Sequence, residues 1–136
     1  MLAGLAEFLR MFGKRYFELI YFMQLNIKAT NLELTDNLRA YIQKKMIMLD
    51  KYFGKLKVIG ARVEICKTTN HHLKGKIYAA EVNLSLGSDL LRVEKTAKDL
   101  FKAIDKVKDH LEVAIKKYKE KKIDRKKKKQ KLGAMV

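Results

Sequence analysis

Hydropathy along the chain switches between a period of two and a period of 3.6 in a fixed order, and that order leaves few folds open. Leu25, Ile27 and Ala29 alternate with Gln24, Asn26 and Lys28, as in a strand with one buried face. Leu38, Ile42, Met46, Leu49 and Phe53 then recur at helical spacing. Thr35 offers the N-cap, Asp36 suits the positive helix end, and Gly54 supplies a stop. The spacing predicts a helix over 36–53. From Val58 the period returns to two: Ile59, Ala61, Val63 and Ile65 face one way, Arg62, Glu64 and Cys66 the other. A polar connection over 67–75 follows. Ala80, Val82, Leu84 and Leu86 mark a third strand, Gly87-Ser88-Asp89 a tight turn, and Leu91 and Val93 a fourth. Leu100, Ile104, Val107, Leu111, Ile115 and Tyr118 form the stripe of a helix expected from about Lys98 to at least Lys122.

The order is β-α-β-β-β-α. Strands two to four alternate cleanly, which predicts antiparallel hairpins with one solvated face. Strand one reaches strand two through a helix, a right-handed parallel crossover. Each helix has one apolar stripe and the sheet one apolar face. The expected α+β architecture is therefore a four-stranded sheet with two helices packed side by side on one face.

Charge narrows the function. The 136 residues carry 31 Lys or Arg against 15 Asp or Glu, a net charge of +16. Such a balance points to a polyanionic partner. Residues 116–131 hold eleven of the bases and two acids, net +9, leaving +7 elsewhere. The run from Arg125 to Lys131 has few apolar residues and strong self-repulsion, so residues 123–136 are expected to be a basic, disordered tail when free. On the last helix Lys102, Lys106, His110, Val113 and Lys117 lie near one line. On the first, Lys44 and Lys51 share a flank with Met48 between them, and Arg39 lies on the other. Lys45 falls inside the apolar stripe and must snorkel to the helix edge. Side-by-side helices would merge these positions into one basic surface, suited to RNA recognised by shape and backbone.

Catalytic and metal chemistry find little support. There is one cysteine, Cys66, outward on its strand and without an activating partner in the sequence. His71, His72 and His110 are the only histidines. The first two read as loop surface, since two neighbours without a third ligand are weak metal evidence. Asp99 and Asp105 do not share a helix face, and Asp99 suits the helix N-terminus. No phosphate-cradling Gly loop or Ser-His-Asp set is present. No enzymatic activity and no cofactor are expected. Phe101 and Tyr118 are read as completing the helix–sheet core, whereas Tyr41 and Tyr52 fit either a core role or stacking on bases.

Residues 1–22 form a separate N-terminal extension. Glu7, Arg10, Lys14, Arg15 and Glu18 interrupt it, which excludes a membrane span. Leu2, Leu5, Leu9, Phe12, Tyr16, Leu19 and Ile20 recur at helical spacing. Three readings compete: an amphipathic helix on a membrane or partner, a cap on the domain, or upstream sequence from too early a start. The third is preferred, because Met23 opens a well-formed strand.

The stretch MQLNIKATNLELTDNLRAYIQKKMIMLDKYF resembles the opening of the ribosome hibernation-promoting factors, also called ribosome-associated inhibitor or subunit-interface proteins. LLRVEKTAKDLFKAIDKVKDHLEVAIKKYKEKK resembles their last strand and helix. The sharpest element is Asp99-Leu100-Phe101 followed by Ala103-Ile104-Asp105, close to the family's Asp-Met-Tyr-x-Ala-Ile-Asp. The likeness covers about residues 23–122. It implies a ribosome-binding domain there, which occupies the decoding region of the small subunit and inhibits translation in resting or stressed cells. The cytoplasm is the default location expected for the chain. Arg39, Lys45, Lys51, Lys117 and Lys119 match basic positions of the family. His110 and Met48 stand where it often has Lys, and Val113 where it often has Arg. Together with the lysines of the two helices, this makes Arg39, Lys44, Lys45, Lys51, Lys102, Lys106, His110, Lys116, Lys117 and Lys119 the expected RNA-binding set. The expected partner is ribosomal RNA, not DNA or membrane, and the protein should be a monomer off the ribosome. Long members carry a further dimerisation domain, so this chain resembles the short type. The alternative is a general double-stranded-RNA-binding module, whose element order is similar.

Overall fold

The computed structural model describes residues 24–68 and 77–135. The extension 1–22, Met23, and the loop residues His71, His72 and Gly75 lie outside the described residues. The elements are β1 (Leu25–Thr30), α1 (Asp36–Ile47), α2 (Asp50–Phe53), β2 (Gly60–Lys67), β3 (Tyr78–Leu86), β4 (Asp89–Ala97) and α3 (Leu100–Ala134). They form a four-stranded sheet in the order β1-β2-β3-β4. β1 pairs parallel with β2 in a register that sets Ile27 beside Val63, and the other two pairings are antiparallel. This is the expected α+β architecture. The β3–β4 connection is a two-residue turn whose first position, Gly87, has φ +77°, as a tight hairpin requires.

The core lies between one sheet face and the helices. Ala61, Val63, Ile65, Val82, Leu84 and Val93 meet Leu38, Ile42 and Met46 of α1 and Ile104, Val107, Leu111 and Ile115 of α3, all buried. Period-two and period-3.6 stripes thus end in one apolar layer. The opposite sheet face carries Lys28, Arg62 and Arg92 against Glu64, Glu81 and Glu94. Three cations balance three carboxylates there, and Arg92 pairs with Glu81 at 3.1 Å. Most of the excess positive charge lies instead on α3 from Lys116 onward, where residues 116–131 are net +9.

Two helices differ from their expected extents. The helix expected over 36–53 breaks at Met48–Leu49. Its start is as expected, with the Leu38 amide donating to Thr35 Oγ1 at 3.2 Å. At the break the Leu49 amide donates to the Met46 carbonyl at 3.1 Å, a tightened turn of the 3₁₀ kind. The reason is geometric. Ile47 and Leu49 are both buried, yet on one continuous helix they would point roughly 200° apart. Breaking the helix buries both and still seats Phe53 in the core.

The second difference is the basic tail. α3 runs 35 residues without interruption, about 52 Å at helical rise, through the stretch expected to be disordered. Every residue from Glu120 to Met135 is exposed. Lys, Arg, Gln and Leu are good helix formers, and the packed half of α3 has already nucleated the helix, so extension needs only propagation. Like charges one turn apart, such as Lys121 and Arg125, oppose this extension by only about 0.2–0.5 kcal/mol per pair. Among the described residues no helix is long and apolar enough to cross a membrane.

Candidate nucleic-acid interface

The expected RNA-binding residues sit on the helix layer, but the fold divides them. α1 and α3 meet along a seam lined by Tyr41, Lys45, Tyr52, Phe101, Asp105, Lys108 and Glu112. Asp105 is its hub. The Tyr41 hydroxyl donates to Asp105 Oδ1 at 2.5 Å and Lys45 Nζ lies 3.1 Å from the same oxygen. Lys45 does reach the helix edge, as its place in the apolar stripe demands, and there its charge is matched by Asp105. Lys108 is likewise held by Glu112 one turn further on. The two acids of the DLFxAID-like segment have separate tasks: Asp99 caps α3, accepting from the Phe101 amide at 2.8 Å, and Asp105 ties α3 to α1.

The aromatic side chains belong to this seam. Phe101 does not enter the core. It is 43% exposed and packs edge-on against the Tyr41 ring, centroids 4.8 Å apart. Its position on α3 points along the seam, roughly 90° round the helix from the centre of the buried stripe. Tyr118 does pack against the core, and its hydroxyl donates to Asp89 Oδ2 at 2.6 Å. The Tyr52 ring carries Lys51 Nζ at 5.1 Å and Lys116 Nζ at 5.0 Å from its centroid, cation–π contacts that hold two ammonium groups at the top of the seam. Tyr41 and Tyr52 thus organise cations and the helix pair.

Lys119 is also engaged. Its Nζ donates to the Tyr52 carbonyl at 3.0 Å and lies 3.0 Å from where a side chain on Gly54 would begin. Gly54, at φ +57°, ends α2. A cation there meets the unsatisfied carbonyl end of the short helix. The remaining residues separate by direction. Lys44, Lys51 and Lys116 are exposed near the seam. Lys102, Lys106, His110 and Lys117 follow the line expected of them, but that line faces away from α1. Lys106 Nζ donates to the Thr96 carbonyl of β4 at 3.3 Å. An open groove of about 730 Å³, lined in part by Lys95, Lys106, His110 and Val113, separates this flank from the sheet edge. Arg39 is exposed, roughly 120° round α1 from Lys45. The single merged surface is therefore two: a ridge along the seam and a flank beside β4. The sequence shows both runs of cations but not the seam between them.

Titration reports the seam. Burial, reinforced by the hydrogen bond to Asp105 and the charges of Asp105 and Asp99, pushes the Tyr41 phenol up to about 12 from 10.0. Burial pushes the Asp105 carboxyl up, but the hydrogen bonds from Tyr41 and Lys45 and the charges of Lys45 and Lys108 outweigh it and hold it below 3.8. For Tyr41 the raised value means that its contribution to stability is complete below pH 10 and is lost as the pH rises through about 12. For Asp105 the contribution is present above its ordinary value and is lost as the pH falls through the depressed one. Absorbance titration should therefore show one phenol with a midpoint near 12 that vanishes in Tyr41→Phe and moves toward 10 in Asp105→Ala. Tyr41→Phe should cost on the order of 1 kcal/mol by urea denaturation near neutral pH.

Comparison with known proteins follows the fold. Residues 25–123 match the family described as Sigma 54 modulation protein / S30EA ribosomal protein. A ribosome hibernation promotion factor of Lactococcus lactis is 37% identical over 97 residues, covering 71% of this chain and 50% of that protein. One from Staphylococcus aureus is 32% identical over 97 residues, covering 71% and 48%. The chain thus spans about half the length of the curated relatives it matches. Among solved structures, the N-terminal domain of Thermus thermophilus Protein Y is 35% identical with a TM-score of 0.58, covering 71% of this chain and 99% of that domain. A ribosomal subunit interface protein from Coxiella burnetii, 17% identical with a TM-score of 0.56 over 72% of this chain and 99% of its own, shares the fold.

Proposed function

The chain belongs to the Sigma 54 modulation protein / S30EA ribosomal protein family, and from that premise we propose that it is a ribosome hibernation factor. In this reading residues 23–122 bind the small ribosomal subunit in the channel of messenger and transfer RNA and inhibit translation by occupying it. The observation that carries the reading is the segregation of charge. One face of the sheet is balanced, whereas the helical face presents exposed Arg39, Lys44, Lys51 and Lys102 and continues into residues 116–131, net +9, which hold most of the excess. A rigid, convex, basic helix layer matches an RNA-walled channel, recognised through shape and phosphates. Lys45 and Lys119 act within this reading by fixing the helices. Occupancy requires no chemistry and no cofactor. The protein works as a monomer, and its location is that of the cytoplasmic ribosome.

Backbone phosphates supply most of the affinity in this mechanism. Binding to purified small subunits should then fall about a thousandfold between 50 and 200 mM salt, as for roughly six released counterions. Co-sedimentation at graded salt measures this, with initiator transfer RNA as competitor and naked duplex RNA as the comparison. Competition by the transfer RNA and weak binding to the duplex are expected. Coexistence with initiator transfer RNA on one subunit would overturn the proposed position, and equal affinity for naked duplex would favour a general RNA-binding module.

A further inference from the structure

Beyond the ridge and the flank, one group of cations converges on a cavity. Where α3 passes the β3–β4 turn, a cavity of about 360 Å³ opens between α3, that turn and the connection after α2. Its rim carries Lys57 from the connection and Lys121, Lys122 and Arg125 from α3. None of the four forms an ion pair among the described residues. One carboxylate faces them, Asp89, and it is already hydrogen-bonded by the Tyr118 hydroxyl at 2.6 Å. That bond fixes α3 to the first residue of β4 and brings the next turns of the helix over the cavity. The floor is apolar, made of Leu56 and Leu86. Gly87 in the turn has no neighbour within 4 Å of its missing side chain, so the mouth is open on that side.

We propose that this cavity binds a free nucleoside polyphosphate, with the phosphates on the rim of Lys57, Lys121, Lys122 and Arg125 and the nucleoside on the floor of Leu56 and Leu86. Four cations against one carboxylate leave three positive charges uncompensated in a concave space, which exceeds what a single phosphate needs and suits a chain of two or three phosphates. An apolar floor beneath a cationic rim suits a ligand that joins a planar base to a phosphate chain. A strand of RNA meets a convex ridge more readily than a cavity of this size. Bound there, the ligand would neutralise the root of the basic helical extension, so it and a polyanionic partner of that extension should weaken each other's binding.

The test uses the full chain and no ribosome, so it fails or succeeds apart from the ribosome reading. ATP, inorganic triphosphate, adenosine, and a short 5′-hydroxyl oligonucleotide of matching charge are titrated by calorimetry and amide NMR, without divalent cations and at physiological salt. ATP should bind at one site, with resonance shifts centred on Leu56, Gly87 and Ser88. Inorganic triphosphate should bind more weakly and adenosine undetectably. Lys57→Glu, an exposed position outside the RNA-binding set, should weaken ATP at least tenfold. The proposal is overturned if Lys57→Glu leaves ATP binding unchanged, if inorganic triphosphate or the oligonucleotide binds as tightly as ATP, or if the shifts spread along residues 126–131 and spare the turn.

Discussion

Reversing Lys44, Lys51 and Lys116 to Glu together should lower co-sedimentation with small subunits by about a thousandfold at low salt. Each lost phosphate contact is worth on the order of 1–1.5 kcal/mol, and tenfold in affinity corresponds to about 1.4 kcal/mol. All three are exposed and none forms an ion pair among the described residues; reversal removes the contacts of Lys51 and Lys116 with the Tyr52 ring, about 0.5–1 kcal/mol each, so the fold should survive with a lowered thermal midpoint. Circular dichroism and the thermal midpoint check that. Lys45 is left alone for a physical reason. Although it matches a basic position of the family, reversing it would replace the ammonium that lies 3.1 Å from Asp105 with a second carboxylate in a half-buried seam and would damage the helix pair directly. The control reverses Lys28 and Arg62 on the balanced sheet face, which should cost far less per charge. Equal losses from both variants would mean that binding follows net charge alone and would remove the ridge from the account. A matched variant of Lys102 and Lys117, both exposed, reads the flank separately.

The second large effect concerns stability. Leu111 is fully buried where α3 crosses the sheet. Leu111→Ala should cost about 3–4 kcal/mol by urea or thermal denaturation, the transfer loss plus the cavity left behind. That is a large fraction of the roughly 5–15 kcal/mol that holds a domain together. Val113, two positions on, is 48% exposed, and Val113→Ala should stay within about 0.5 kcal/mol. A Leu111→Ala cost as small as that of Val113→Ala would contradict the packing of α3 on β3 and β4. Because the exposed half of α3 inherits its nucleus from the packed half, the same core variant should also lower helicity in residues 120–134.

The amount legible in the sequence depended on the range of the interaction. Element order, the Thr35 cap, the place of Asp99 at the start of the last helix and the Gly87 turn follow from neighbours within a few residues and are present in the structure, as are the buried faces except at Ile59, which precedes β2 and is 47% exposed. The break at Met48–Leu49 escaped because Leu49 continues the helical stripe and Ile47 does not, so the pattern alone reads as one helix with Ile47 outside the core. Phe101 escaped because an aromatic residue beside a helical stripe has the same spacing whether it closes the core or lies along a neighbouring helix. Self-repulsion alone predicts a disordered basic tail, because composition does not show the helix already formed before it.

For the candidate interface the sequence by itself determined the sign of the surface charge, the two helices that carry the cations, and the family that the chain resembles. Those properties reside in composition and local period. Only the tertiary structure decided which cations are available. Tyr41 and Asp105 stand 64 residues apart, and Lys119 and Tyr52 stand 67 apart, so neither contact leaves a local trace. An ammonium group is free to meet a phosphate only if no carboxylate or carbonyl of its own chain has claimed it, and that is settled when the helices pack.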